Sequence, residues 1–200
     1  MPSTPISRLR APLFKMPSSF RALIATACVL ALLGCSKPAD TDAAASAPSA
    51  ASSVAEADFN AIVTACTQSV AARTPVVHAN GQGAWAQVGH SPAQVKSEVT
   101  RTESTITPYV GKIEIKDNEA QATAPTEAEA RAITLTPAHL LSNRTHTFVY
   151  RFDGQQWHWN NGSRFVKTPP LNDTTTVLTQ ADVALPGNGF AGCLPRGAQP

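Results

Sequence analysis

Apolar residues recur at steps of three and four positions in the first clearly periodic segment of the chain. They are Phe59, Ile62, Val63, Cys66 and Val70. This spacing places apolar side chains along one face of an α-helix, so the pattern predicts a helix with one buried side. Ser53 and Glu56 have the spacing of a capping box at its start. Arg73 falls in the predicted last turn, and Pro75 ends the helix.

Strand patterns dominate the chain after this helix. Residues 109–116 alternate between apolar and polar side chains, which predicts a strand with one buried face that ends in a turn at Asp117-Asn118. The polar, threonine-rich segment 95–106 predicts a solvated strand before it. Segments 119–124 and 131–136 are interpreted as further short strands.

The clearest hairpin signal lies around Asp153-Gly154, a pair that favours a two-residue turn. That turn would pair Tyr150 with Trp157 and Phe148 with Trp159, so that the aromatic side chains share one face of the sheet. Asn161-Gly162 suggests a second tight turn, which makes 145–167 a three-stranded meander. Prolines and glycines predict an irregular segment from Thr168 onward.

One amino-terminal helix followed by antiparallel strands predicts an α+β fold, with the helix packed on the aromatic face of the sheet. Residues 54–195 would form this single domain, followed by a tail at 196–200. The order of elements resembles cystatin-like and NTF2-like layouts. That resemblance concerns the fold alone and implies no function.

A different pattern precedes this domain. The apolar run from Ala22 to Leu33 has twelve residues, roughly 18 Å as a helix, which is too short for a hydrocarbon layer of about 30 Å. Four basic residues and no acidic residue come before Cys35. A positive segment followed by a short apolar run is typical of a secretory signal peptide.

The end of this run, Leu32-Leu33-Gly34-Cys35, resembles the lipobox of bacterial lipoproteins. The resemblance implies that residues 1–34 are a signal peptide, that cleavage precedes Cys35, and that Cys35 carries the lipid. Ser36 implies transfer to the outer membrane, with the domain facing the periplasm. Met16 begins a shorter version of the same signal, so the translation start stays open between Met1 and Met16.

The chain that follows the lipobox differs from the whole sequence in composition and net charge. Residues 36–53 are nearly all Ala, Ser, Pro and Asp, so 35–53 is interpreted as the lipidated cysteine and a flexible tether. The whole chain has 16 basic and 14 acidic residues. Without the four basic residues before Cys35, 12 basic and 14 acidic residues remain, a net charge of −2. No basic cluster for nucleic-acid binding is left.

The chain has four cysteines. Cys28 would leave with the signal peptide, and Cys35 would carry the lipid. The remaining pair, Cys66 and Cys193, is expected to form a disulfide in an oxidising compartment. Two free buried thiols are the alternative.

Motifs for chemistry are weak throughout the chain. The segment 187–192, GNGFAG, matches a dinucleotide-binding fingerprint in letters, but Cys193 and Pro195 follow where a helix is required. No histidine pair has the spacing of a helical metal site, and no nucleophile motif is present. The sequence therefore predicts no catalytic residue, no metal and no cofactor.

Aromatic residues supply the remaining candidates for ligand or partner contact. Tyr150, Trp157 and Trp159 could line a pocket or fill the core. Trp85 lies in a predicted glycine-rich loop, and His158 should project to the face opposite the tryptophans.

Two functional hypotheses follow from these candidates. The first is a non-catalytic envelope lipoprotein that binds a protein, the cell wall or a small ligand. The second is a small periplasm-facing enzyme or ligand-binding domain on an NTF2-like fold, with His158 or a buried carboxylate as general base.

Overall fold

The computed structural model describes residues 50–197. The predicted signal peptide, Cys35 and most of the predicted tether lie outside the described residues, as does 198–200 at the predicted tail. None of the helices among the described residues is long and apolar enough to cross a membrane.

The predicted amphipathic helix is present as α1, Ala50–Ala71. Phe59, Cys66 and Val70 are buried on its inner face, as the spacing indicates. The helix begins earlier than predicted, within the segment assigned to the tether, so the predicted cap at Ser53 is wrong. At the other end, Arg73 Nε donates to the carbonyl of Val70 at 3.1 Å and satisfies one of the last carbonyl groups.

Within residues 50–197, seven antiparallel strands form one open sheet, which confirms the α+β prediction. The strands are β1 (Val76–Ala79), β2 (Trp85–His90), β3 (Gln94–Arg101), β4 (Tyr109–Ala124), β5 (Leu140–Phe152), β6 (Trp157–Lys167) and β7 (Thr174–Leu178). Their order is β1-β2-β4-β5-β6-β7, and β3 also pairs with β4. Because β4 is long, β3 pairs with its first half and β2 with its second half along the same edge.

The predicted turn at Asp117-Asn118 is wrong, because β4 continues through both residues. Asp117 is buried and forms ion pairs with Arg73 and Arg144. These long-range contacts override the local turn preference of an Asp-Asn pair. The segment 119–124 is therefore the second half of β4, after a register shift at Glu119/Ala120.

The β5–β6 hairpin has a wider loop than predicted. Phe152 pairs with Trp157 and Tyr150 pairs with Trp159, so the predicted pairing of Tyr150 with Trp157 is wrong. Asp153 Oδ1 accepts hydrogen bonds from the N–H groups of Gln155 and Gln156 and stabilises the longer loop. The register differs by two residues, and side chains alternate with period two, so the aromatic residues still share the core face.

The predicted second turn at Asn161-Gly162 is also wrong, since β6 passes through both residues. Gly162 pairs with Phe148 and lies beneath the ring of Trp159. A Cβ atom at this position would lie 2.7 Å from Trp159 Cη2. The glycine therefore serves close packing, and 145–167 contains two strands and not a three-stranded meander.

Two short helices replace predicted strand and loop segments. α2, Glu127–Ala132, overlaps the predicted strand 131–136, which is wrong. Thr126 and Glu129 form a capping box at its start. In the segment predicted to be irregular, β7 is followed by α3, Gln180–Ala184, which Thr179 caps.

The core lies between α1 and the aromatic face of the sheet. Its buried residues include Phe59, Ile113, Phe148 and Tyr150. The predicted disulfide between Cys66 and Cys193 is confirmed, and both cysteines are fully buried. It fastens a carboxy-terminal 3₁₀ turn, Ala191–Cys193, against α1.

Candidate functional site

The three aromatic residues predicted on the β5–β6 hairpin lie in or against the core. Tyr150 is fully buried, and its hydroxyl donates to the carbonyl of Cys193 at 2.7 Å. Trp157 Nε1 donates to the carbonyl of Ala55 at 2.9 Å. The half-buried ring of Trp159 packs edge to face on Tyr150. The polar groups of Tyr150 and Trp157 thus tie the carboxy-terminal segment and α1 to the sheet.

His158 and Trp85 lie elsewhere on the sheet. His158 Nε2 is 2.7 Å from Asp153 Oδ2, so the imidazole stabilises the hairpin loop. Hydrogen bonds from the N–H groups of Gln156 and Gln155, and from His158, hold the pKa of Asp153 well below its usual range. Trp85 is the half-buried first residue of β2 and not part of a loop.

Buried charges gather where α1 ends above β4 and β5. The carboxylate of Asp117 is fully buried and accepts hydrogen bonds from Arg144 Nε at 3.0 Å and Arg144 Nη2 at 2.9 Å. Arg73 Nη1 lies 2.7 Å from Asp117 Oδ2. Although burial opposes ionisation, the contacts with Arg144 and Arg73 hold the pKa of Asp117 below its ordinary value.

Glu119 and His90 extend this charged cluster toward solvent. Glu119 accepts a hydrogen bond from Arg144 Nη1, and Arg144 Nη2 lies 2.9 Å from His90 Nδ1. Because a guanidinium can only donate, His90 Nδ1 is the acceptor and the proton of the neutral ring is on Nε2. The cluster therefore joins β2, β4, β5 and the end of α1.

The two histidines of this region are neutral at physiological pH. Burial, with the nearby charge of Arg144, lowers the pKa of His90 to about 4. The same causes lower the pKa of His146, a neighbour of the cluster on β5, to about 3. A histidine with a pKa this low is a weak base at neutral pH, and His90 Nδ1 already accepts from Arg144. The described residues of the cluster thus hold structure more readily than they transfer protons.

A cavity of about 600 Å³ opens beside this cluster, and we call it the apolar pocket. Its apolar lining consists of Pro75, Gly89, Pro92, Ala120, Ile133, Leu135, Pro137 and Leu140. Polar lining comes from Gln87, His90, Ser91, Asn118, Thr134 and Thr136. This volume and this mixture are typical of sites for small molecules.

The wall of the apolar pocket depends on a close contact between a glycine and a leucine. A Cβ atom at Gly89 would lie 2.5 Å from Leu135 Cδ1, so only glycine lets this leucine approach β2 so closely. Gln87, on the floor, is buried, and its Oε1 has no hydrogen-bond partner in the described part of the chain. Leu140, at the edge of the pocket, is half exposed.

A second cavity of about 420 Å³ is lined by residues of β1, β2, β4, β5, β6 and β7 and by the segment 182–190. We call it the polar cleft. Its polar lining consists of His78, His90, Glu119, Arg144, His146, Arg164, Asp182 and Asn188. His90 lines both cavities.

Comparisons with known proteins found no relative of this chain. No protein-family model, curated protein or solved structure matches the chain. The function must therefore be argued from the residues and cavities themselves.

Sequence reasoning missed both cavities, although some signals were present. The spacing of Thr126 and Glu129 is that of a capping box, which marks the helix that leads into the wall of the apolar pocket. Asp117 and Arg144 carried no visible signal, because their pairing depends on the register between β4 and β5.

Proposed function

We propose that this chain is a lipid-anchored protein of the bacterial cell envelope whose folded domain binds a small apolar molecule and performs no catalysis. The lipobox at Leu32-Leu33-Gly34-Cys35 supports the anchor, and Ser36 supports the outer membrane, with the domain facing the periplasm. The net charge of −2 after the signal argues against a nucleic-acid partner.

The observation that carries the binding function is the apolar pocket itself. Pro75, Ile133, Leu135 and Pro137 supply apolar walls around a volume of about 600 Å³. A small apolar molecule would gain roughly 25 cal/mol for each Å² of apolar surface that it removes from water. Hydroxyl groups of the lining, such as that of Thr134, and amide groups, such as that of Gln87, can orient a polar substituent.

The state of the neighbouring titratable groups supports a non-catalytic role. Asp117 and Glu119 are held by arginines, and His90 accepts from Arg144. General acid–base catalysis at neutral pH is most efficient with a group whose pKa lies near the operating pH. His90 and His146, with pKa values of about 4 and 3, are far from that condition.

The anchor is tested by fractionating cells that express the wild-type chain or Cys35→Ala. The wild-type chain should sediment with membranes, and Cys35→Ala should appear in the soluble fraction. Cys28→Ala is the matched control, since it removes a cysteine of the predicted signal and should leave anchoring intact. Membrane retention of Cys35→Ala would show that the lipid is not the anchor.

The pocket is tested with the uncharged fluorophore N-phenylnaphthylamine, whose emission rises in apolar surroundings. In the Cys35→Ala background, which avoids detergent micelles, the fluorophore should bind saturably. Ala120→Phe places a ring inside the pocket and should weaken this binding at least about tenfold, a change of about 1.4 kcal/mol. Ala79→Phe, at an exposed alanine of β1, should not weaken it. Equal binding by both variants would place the fluorophore elsewhere and reject the pocket.

A further inference from the structure

The polar cleft lies on the opposite side of β2 from the apolar pocket. Gln87 and Gly89 line the apolar pocket, whereas the alternate residue Val88 lines the polar cleft. Side chains of a strand alternate between its two faces, so the two cavities are separate at this strand. Apart from His90, which lines both cavities, the residues that would recognise a ligand in the cleft do not line the apolar pocket.

Arg164 is the arginine of the cleft that forms no ion pair with another described residue. Arg73 and Arg144 have Asp117 and Glu119 as partners. In the described part of the chain, no carboxylate lies within 4.0 Å of the Arg164 guanidinium, and its buried Nε has no hydrogen-bond partner. A half-buried cation without a counter-ion is costly, because burial removes hydration that nothing replaces.

Asp182, a carboxylate of the cleft lining, has other partners. The carboxylate of Asp182 accepts hydrogen bonds from the N–H group of Thr179 at 2.8 Å and from its hydroxyl at 2.6 Å. These bonds cap α3 and hold Asp182 at the start of that helix. The hydrogen bonds from Thr179 lower the pKa of Asp182, and the charge of Arg164 lowers it further without forming a salt bridge.

His146 supplies a second polar group without a partner. It is directly paired with Arg164 across β5 and β6, so both side chains project from the same face of the sheet. Its ring is 2% exposed and lies against the ring of Phe190, with centroids 4.5 Å apart. Nδ1 of His146 is buried and has no hydrogen-bond partner among the described residues.

We propose that the polar cleft binds a small oxyanion, a carboxylate or a phosphate group, with the Arg164 guanidinium as its main contact. The planar guanidinium donates two parallel hydrogen bonds to such groups, and the bound anion neutralises its charge. His146 and Asn188 also line the cleft and would lie near the bound group. Because Glu119 and Asp182 also line the cleft, their negative charges would repel a polyanion more strongly than a small anion of low charge.

The experiment titrates the full chain, labelled with ¹⁵N and purified in a neutral detergent, with inorganic phosphate and, separately, with acetate at pH 7. Sodium chloride at equal ionic strength is the reference. The arginine Nε–H resonance of Arg164 and the amides of His146 and Asn188 should shift saturably, with a dissociation constant on the order of 1–10 mM. Saturation by only one of the two anions identifies the class of oxyanion. Absence of saturation by both overturns the proposal.

Arg164→Gln removes the charge and should weaken binding at least about tenfold. Arg151→Gln, at an exposed arginine of β5, is the matched control and should bind as the wild-type chain does. Equal binding by the two variants would overturn the assignment to Arg164. Arg164→Lys keeps the charge without the planar fork and should bind with intermediate affinity. If Arg164→Gln does not fold, the Arg164 resonance in the wild-type titration decides the matter alone.

Discussion

Asp117 and Arg144 occupy directly paired positions on β4 and β5, and the guanidinium of Arg144 donates hydrogen bonds to both carboxylate oxygens of Asp117. The pair lies where α1 ends, and Arg73 reaches the same carboxylate from the end of that helix. One buried carboxylate thus fixes the register of two strands and the position of the helix above them.

Replacing Asp117 by Asn should strongly destabilise the domain. Asn keeps the shape of the side chain but leaves Arg73 and Arg144 buried without their shared counter-charge. Removing one partner of a buried ion pair costs about 3–5 kcal/mol. Urea unfolding followed by tryptophan fluorescence measures this loss, and Asp173→Asn, at an exposed loop residue, should change the stability by less than about 0.5 kcal/mol. Similar values for the two variants would show that the buried pair is not a main support of the fold.

Acid should destabilise the domain over a range set by the buried His146 and the partly buried His90. His90 and His146 have pKa values of about 4 and 3 in the folded chain, against about 6.5 in the unfolded chain. Below about pH 6.5 the unfolded chain therefore binds more protons, and the free energy of unfolding falls as pH falls. Each histidine contributes a slope of about 1.4 kcal/mol per pH unit until its folded pKa is reached.

His146→Asn tests the contribution of this histidine through the pH dependence of the free energy of unfolding, and not through its absolute value. Between about pH 5.5 and 4.5 the variant should show roughly half the pH dependence of the wild-type chain, because one of the two histidines is gone. His78→Asn, at an exposed histidine of β1, should leave the slope nearly unchanged. Parallel curves for wild type and His146→Asn would contradict the burial of a neutral imidazole at this position.

Several of these features follow from local sequence patterns. The period of α1 was visible because an apolar stripe on a helix repeats every three to four residues, whatever packs against it. The prediction that Phe148, Tyr150 and Trp157 share one face of the sheet is correct although the predicted register is wrong, since a shift of two residues keeps each side chain on the same face. The disulfide of Cys66 and Cys193 followed from counting the cysteines that the signal peptide would leave.

The charged cluster and the cavities could not be derived in this way. Asp117 was predicted in a turn because Asp-Asn favours turns locally, whereas its actual partner Arg144 lies 27 positions away in sequence. His90 meets Arg144 from 54 positions away. Which residues meet across neighbouring strands depends on the pairing register, which here joins Asp117 to Arg144. Local patterns do not encode that register.

Removing the disulfide should destabilise the domain without abolishing the sheet. The bond closes a loop with a sequence separation of 127, for which chain entropy suggests an upper value of about 5 kcal/mol. The double variant Cys66→Ala/Cys193→Ala should lose about 2–5 kcal/mol in urea unfolding. A reducing agent should lower the wild-type stability by a similar amount and leave the double variant unchanged. An effect of the reductant on the double variant would show that it acts through some other group.

The tight contact between Gly111 on β4 and Phe59 on α1 predicts that substitutions at these two positions have coupled effects on stability. Gly111 lies beneath the ring of Phe59, where a Cβ atom would come within 2.4 Å of the aromatic carbons. The ring cannot easily move, since it is 1% exposed and packs against Tyr150 and Trp157. Gly111→Ala should therefore cost about 1–3 kcal/mol, the usual range for overpacking a core.

A double-mutant cycle separates this contact from a general cost of replacing glycine in a strand. Phe59→Leu removes the ring carbons that meet the new Cβ atom, so Gly111→Ala should cost much less in that background, with a coupling energy above about 0.5 kcal/mol. Gly83→Ala is no substitute as a control, because its positive φ of 79° adds backbone strain. Gly162→Ala is the better comparison, since it meets Trp159 and Phe148 and should be insensitive to Phe59→Leu. Additive effects of Gly111→Ala and Phe59→Leu would mean that the contact between Gly111 and Phe59 does not determine the distance between α1 and β4. The helix would then move away from the strand to accommodate the new Cβ atom.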